Sequence, residues 1–353
     1  MFYHLIMHTG CNLSCTYCDR DDFASPDEEL YDYNLSQTIT YDISKLKNQI
    51  KEDDYITFYG GEPLLALQKI KEIMNTIPCK GFMIQTNGIL LNRLEKEYLQ
   101  RFQTILISID GDAEATDRNR GKGIHERIMK NISYIKENGF EGELIARMAI
   151  TKNSSLYHQV QWLLQKGFEN IHWQLDAMFY ENSSFNWYDQ YNLDVKELLD
   201  FWIEEMKKGK VLRLYPFLVI TDSLRKKEKA RLRCGAGFAN YTITTNGKIS
   251  PCPIMGSIKK YYCGELGSSI KEMSVNSPCS ECDILDKCGG RCLYANLTQH
   301  GGKEAYNAIC QTVRYLITNL EEKVPEIESL LKEGIIKEEQ FEHQKYNGVE
   351  VIP

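Results

Sequence analysis

Short apolar runs alternate with stretches of helical spacing through the first two-thirds of the chain. "FYHLIMH", "YITFYG", "GFMIQTNG", "TILISIDG", "ELIARMAI" and "NIHWQLD" have the length and composition of buried strands. Between them, "SKLKNQIKED", "LLALQKIKEIMNT", "HERIMKNISYIKENG" and "SLYHQVQWLLQKG" carry apolar residues at helical intervals. The last two stop at Gly139 and Gly167, residues suited to a helix C-terminus. This βαβα order predicts an α/β fold with a parallel sheet and outer helices. About six units are complete by residue ~176, so a partial (βα)6 TIM-type barrel fits better than eight strands or a doubly wound sheet. Functional loops of such folds follow the carboxyl ends of the strands. Four polar clusters fall there: the Cys11 loop, "GGEP", "TNG" and "SIDG".

Beyond the sixth strand come a helical "NLDVKELLDFWIEEMKKG" and an apolar "VLRLYPFLVI". The run "RKKEKARLR" reads as a solvated face and a domain boundary. The expected division is a barrel over 1–220, a cysteine-rich domain with little regular structure over 230–312, and a helix with a frayed polar tail over 313–353. Net charge is −7 over 353 residues without a long basic run, which argues against a general nucleic-acid surface. No signal peptide is visible, and no stretch reaches the ~20 apolar residues of a membrane helix. The expectation is a soluble cytoplasmic protein without membrane partners. Twelve cysteines in a reducing compartment point to metal more than to disulfides. Cys79 stands alone and reads as apolar filler. The others form two zones, 11–18 and 234–310.

The first zone is "CNLSCTYC", with Cys11, Cys15 and Cys18. Thiolates suit zinc or iron–sulfur clusters. Zinc would need a fourth ligand, such as Asp19 or His8. A cubane [4Fe–4S] cluster on three cysteines keeps one iron open for another molecule. The spacing resembles the CxxxCxxC signature of radical SAM enzymes, with Tyr17 at the usual aromatic position. That resemblance implies an open iron chelating S-adenosylmethionine, whose reductive cleavage gives a 5′-deoxyadenosyl radical; no catalytic side chain can be named beyond the three ligands. "YGGEPLL" resembles the family's GGEP motif: Gly60 and Gly61 would allow close backbone approach, and Glu62 would accept an ammonium group. "SIDG", with Asp117 and Arg120 downstream, resembles the SxDG region. By that likeness Ser108 and Asp110 lie near the ribose, Arg120 contacts the cofactor, and Arg147 pairs the methionine carboxylate. Asn87 matches the family's TNG loop.

The second zone resembles the seven-cysteine SPASM pattern, C-x(9–15)-G-x4-C … C-x2-C-x5-C-x3-C … C, over Cys234, Gly247, Cys252, Cys279, Cys282, Cys288, Cys292 and Cys310. The resemblance implies two auxiliary [4Fe–4S] clusters, three clusters in all. Cys279, Cys282, Cys288 and Cys310 would hold the outer one. Cys234, Cys252 and Cys292 would hold the inner one, completed by Cys263 or left with an open iron. Two features depart from relatives. Pro253 follows Cys252 where sulfatase-maturating relatives carry an acidic proton acceptor. The first cluster cysteine is residue 11, so no leader-binding winged helix is expected before it.

The resemblance thus implies a radical SAM maturase acting on a carbon of a peptide or protein. An electron donor such as ferredoxin or flavodoxin, and a separate leader-binding protein, would be its partners. The alternatives are a radical SAM dehydrogenase or mutase acting on a small molecule, and a non-catalytic iron–sulfur or zinc protein. Trp173, Tyr180 and Trp187 are either core or the lining of a peptide channel.

Overall fold

A computed structural model describes residues 1–18, 31–32, 35–176, 185–299 and 301–353. Its strands in chain order are β1 (Phe2–His8), β2 (Tyr55–Gly60), β3 (Gly81–Thr86), β4 (Phe102–Ser108), β5 (Glu143–Ile150), β6 (Asn170–Leu175), β7 (Arg213–Leu214), β8 (Asn240–Ile243), β9 (Lys248–Ser250) and β10 (Gly264–Glu265). The first six coincide with the six apolar runs. Compactness divides the chain otherwise than sequence order does, into two discontinuous units. One comprises residues 1–109, 113–145 and 235–274, the other 110–112, 146–234 and 275–353.

In the first unit the strand order is β10-β9-β8-β1-β2-β3-β4. β1 to β4 and β8 run parallel, while β9 and β10 are antiparallel. Helices α1 (Leu67–Thr76), α2 (Lys96–Leu99), α3 (Ala113–Arg120) and α4 (Ile124–Glu137) accompany them. Leu5, Ile56, Phe58, Ile84, Ile105 and Ile107 are fully buried, as are Ile70 and Ile73 of α1 and Ile128 and Ile135 of α4. That is the layered core a parallel sheet requires, with strands apolar along their length. "SKLKNQ" forms a 3-10 turn, Ile43–Asn48, instead of an α-helix; Asp42 caps it by accepting the Ser44 N–H.

β8 was not expected. It lies within the cysteine-rich zone and extends the sheet beside β1, pairing Phe2 with Asn240 and Leu5 with Ile243. All four of its residues are buried, and the Asn240 side-chain oxygen meets His4 Nδ1 at 2.7 Å. Four residues are too few to show a period, so the cysteine spacing masked a strand.

The second unit contains β5 from Ala146 onward, then β6 and β7, with Asn170 paired to Arg213. Its helices are α5 (Leu156–Gln165), α6 (Trp187–Lys207), α7 (Tyr215–Arg225), α8 (Leu285–Cys288), α9 (Leu293–Thr298) and α10 (Gly302–Lys332). The Trp173 ring meets Phe217 of α7 edge-on at 5.2 Å, and its indole N–H donates to the Tyr191 hydroxyl of α6. α10 lies against α6 and α7 with Leu316, Ile317 and Leu320 buried. Trp173 is therefore core. Trp187 is half-buried against Tyr188, and Tyr180 lies outside the described residues.

Two expectations about charged segments are corrected. In "RKKEKARLR", Arg225 lies over the Phe341 ring and pairs with Glu328 and Glu338, and Arg233 is buried against Ser223 and the Lys287 carbonyl. The ends of that run are structural; the unit boundary follows at Cys234. The tail is not frayed either: Val349 and Ile352 are buried, as is Glu350, which accepts the Tyr346 N–H. Spaced apolar residues among polar ones hid that packing from a composition argument.

Candidate functional site

The first unit holds the three-cysteine loop. It leaves β1 at His8, and the Gly10 N–H folds back onto His8 Nδ1 at 3.0 Å. The motif after β2 is zipped to this exit: the Gly61 N–H donates to the His8 carbonyl and the Glu62 N–H to the Gly10 carbonyl. This approach explains the glycine pair. A Cβ on Gly60, whose φ is +138°, would sit 2.3 Å from the His8 oxygen, and one on Gly61 would sit 2.4 Å from the Gly10 oxygen.

Glu62 is engaged within the protein. Its carboxylate is wholly buried and takes the Leu64 N–H at 2.9 Å, the Thr86 hydroxyl at 2.8 Å and the Asn87 N–H at 2.8 Å. Burial pushes its carboxyl up to about 7, against the pull of those donors. Glu62 thus braces one loop against another. Its reach extends further through Asn87. The Asn87 amide donates to Asn12 Oδ1 at 2.7 Å and lies 3.5 Å from Cys11 Sγ. Cys11 Sγ also faces the Leu13 N–H at 3.4 Å.

Farther along the loop, the Cys18 N–H donates to the Cys15 carbonyl, and the Thr16 N–H donates to the Asn119 carbonyl at the end of α3. The Arg120 guanidinium stands over the Tyr17 ring at 5.4 Å, a cation–π contact. The structure thus brings Cys11, Tyr17, Glu62, Asn87 and Arg120 into one connected arrangement. Asn12, Thr86 and Asn119 belong to it too, and no motif announced the first or the last. Ser108 ends β4 and is half-buried. Asp19 lies outside the described residues. Three thiols on a short loop, one already supplied with donors, fit the ligand set of a cluster with an open iron.

The second unit places the other two cofactor candidates. Asp110 is fully buried and its Oδ1 accepts the Ala149 N–H of β5 at 3.0 Å. Arg147 of β5 donates to the Gly348 carbonyl at 2.8 Å and to Gln174 Oε1 at 2.8 Å, with His172 Nδ1 3.3 Å away.

The same unit holds a cavity lined by five thiols, Cys279, Cys282, Cys288, Cys292 and Cys310, with Tyr306 and Arg314 at its wall. The Tyr306 hydroxyl is 2.8 Å from Cys279 Sγ, and Arg314 pairs with Asp283 while its Nη2 lies 3.8 Å from Cys282 Sγ. Cys292 Sγ caps α9, taking the Ala295 N–H. Burial pushes the Cys279, Cys288 and Cys310 thiols up, the last to about 11. Left free they are protonated at neutral pH, and a metal's charge is what would draw the protons off. Among the described residues, no three His, Cys, Asp or Glu side chains converge as the ligands of a single ion would. The five thiols instead surround a space, which suits a polynuclear group.

Cys234 lies in this unit, Cys252 and Cys263 in the first. Cys263 is buried, its thiol donates to the Ile249 carbonyl at 3.4 Å, and burial pushes it up to about 11. Cys79 is half-buried with its thiol on the Gly81 carbonyl. Among the described residues no helix is long and apolar enough to cross a membrane.

One family model matches part of the chain. The model of the radical SAM superfamily matches residues 5–154, the stretch that contains the cysteine loop, the glycine pair and Asn87. The chain contains a radical SAM domain. Over 283 residues it is 23% identical to the antilisterial bacteriocin subtilosin biosynthesis protein AlbA of Bacillus subtilis, covering 76% of this chain and 58% of that one. The chain spans less than two thirds of the length of the curated relatives it matches. Among solved structures, anSMEcpe with bound AdoMet and the Cp18Cys peptide shares the fold over 94% of this chain and 99% of its own, with a TM-score of 0.71 and 18% identity. Streptococcus suis SuiB bound to precursor peptide SuiA shares it over 85% of this chain and 73% of its own, with a TM-score of 0.51 and 16% identity. The α/β fold is thus shared with these structures, and the likeness extends well beyond residues 5–154.

Proposed function

We propose that this chain is a radical SAM maturase that modifies a side-chain or backbone carbon of a peptide or protein. The observation that carries it is the Cys11–Cys15–Cys18 loop, locked by Gly60 and Gly61 and supplied with a donor from Asn87, inside a fold shared with peptide-bound structures. When bound there, an iron–sulfur cluster and S-adenosylmethionine would supply the hydrogen-abstracting 5′-deoxyadenosyl radical. The protein's part is positional. Glu62 fixes the Asn87 backbone, Asn87 presents its amide to Cys11, and Arg120 and Tyr17 close the loop's far side. Arg120, Ser108, Asp110 and Arg147 remain the candidates for contact with the cofactor.

The cysteine-lined cavity supports an auxiliary cluster on Cys279, Cys282, Cys288 and Cys310, with Tyr306 and Arg314 as donors to its sulfurs. Cys234, Cys252 and Cys292 would hold a second auxiliary cluster. We take Cys263 as a packing residue, because its thiol is spent on a β9 carbonyl. A ferredoxin or flavodoxin would donate electrons, a separate protein would hold any leader peptide, and the cytoplasm would be the setting. The test is anaerobic incubation of reconstituted protein with S-adenosylmethionine and peptides encoded beside its gene, read by mass spectrometry. A mass change in one peptide is expected. Cofactor cleavage with every peptide unchanged, but with a small-molecule substrate turned over, would move the assignment to a dehydrogenase or mutase.

A further inference from the structure

The two faces of β6 are used differently. Trp173 points to α6 and α7, so His172 and Gln174, its neighbours in sequence, point to the opposite face. Residues 347–353 lie against that face. Arg147 donates to the Gly348 carbonyl at 2.8 Å, His172 Nε2 meets the Val351 carbonyl at 3.1 Å, and Arg291 Nε donates to the Pro353 carbonyl at 3.0 Å. Arg147 also faces His172 Nδ1. A guanidinium can only donate, so Nδ1 is the acceptor and Nε2 carries the proton given to Val351. Burial keeps this imidazole neutral, well below its ordinary range, and Arg147 adds to the effect. Val349 and Ile352 supply the apolar contact, each nearly or fully buried.

Three donors thus read three main-chain carbonyls of a single segment. Main-chain carbonyls are common to every peptide, so such a row selects an extended backbone and leaves side-chain choice to the apolar contacts. We propose that the His172 face of β6, with Arg147 of β5 and with Arg291, is a backbone-reading peptide site, filled by the chain's own residues 347–353 and surrendered to a substrate peptide. This rests on the peptide-modifying reading above. The bound segment sets the threshold: a substrate must compete with it, which lowers apparent affinity by the fraction of time the face is open.

The test is binding of a fluorescent synthetic peptide, HQKYNGVEVIP, followed by anisotropy. In a chain carrying Val349→Asp and Ile352→Asp the internal segment should leave the face. The peptide should then bind at least about tenfold more tightly than to the unmodified chain. Adding His172→Ala should remove that gain. Equal binding to both folded chains would overturn the proposal. Should the double variant not fold, hydrogen exchange on the unmodified chain decides. The amides of 347–352 should exchange at least about tenfold faster than those of β6, through local opening. Exchange as slow as β6 would mean a fixed part of the core, and no peptide site. Binding does not depend on cofactor cleavage. A chain that binds the peptide in this way but modifies none would sink the maturase reading and leave the site standing. A maturase whose face stays shut would do the reverse.

Discussion

Glu62→Gln separates a brace from a ligand. In the folded chain the Glu62 carboxylate serves three buried donors, the Leu64 N–H, the Thr86 hydroxyl and the Asn87 N–H. Glutamine keeps one oxygen and turns an NH2 group toward a donor, most directly the Asn87 N–H. An orphaned buried donor costs about 1–3 kcal/mol. A domain has roughly 5–15 kcal/mol in all, so the variant should fold with a lower denaturation midpoint. The cost should depend on pH. Burial pushes the Glu62 carboxyl up to about 7, from an ordinary value of 4.5. The native state therefore holds this proton more tightly than the unfolded chain. Stability from the protonated carboxyl is complete below about pH 4.5 and is lost as pH rises through about 7. Raising the carboxyl from 4.5 to about 7 corresponds to roughly 3 kcal/mol. Glutamine does not titrate, so the stability gap between wild type and Glu62→Gln should be wider at pH 5 than at pH 8 by that order. Urea denaturation at the two pH values reads the difference. A gap that does not change with pH would refute the buried brace and return Glu62 to the surface of the cofactor site.

Four further outcomes follow from the same geometry. Asn87→Leu removes the amide donor to Cys11 Sγ and should shift the loop cluster's reduction potential to more negative values, read by electron paramagnetic resonance titration. Replacing Cys11, Cys15 and Cys18 together by Ala should abolish reductive cleavage of S-adenosylmethionine and leave iron in the second cysteine zone; undiminished 5′-deoxyadenosine would remove the loop from its role. Cys263→Ala should leave iron content and cluster spectra unchanged at a cost of about 1–2 kcal/mol for a small buried group, whereas a new three-iron signal would make Cys263 a ligand. Tyr306→Phe should keep full iron content while moving one auxiliary potential to more negative values, because one donor to Cys279 is lost; an unmoved potential would mean the hydroxyl only packs.

The first six strands and the cysteine loop were legible because each has a local signature: an apolar run of strand length, or thiols at fixed spacing. Arg120 and Tyr17 were legible as motif members, and the structure pairs them. What stayed hidden depends on contacts remote in sequence. β8 joins β1 across more than two hundred residues and has only four residues to show a pattern. Asn12 matters because Asn87 reaches it, and a lone asparagine in a loop says nothing of its partner.

The same limit applies to the partners of Glu62. A carboxylate beside a cofactor motif offers acceptors to whatever donor arrives first. Here the donors are the protein's own Leu64, Thr86 and Asn87, fixed by β3 and by the turn that begins at Pro63. Arg147 follows the same logic: a fork of donors suited to a carboxylate already meets Gly348 and Gln174. Residue type and spacing identify groups able to do chemistry. Which partner satisfies each group is settled by tertiary packing, and in a buried site every donor or acceptor so engaged is one fewer for the substrate. For Arg147 the engaged partners are the Gly348 carbonyl and a β6 side chain, whereas for Glu62 they are the strand and turn that carry the loop.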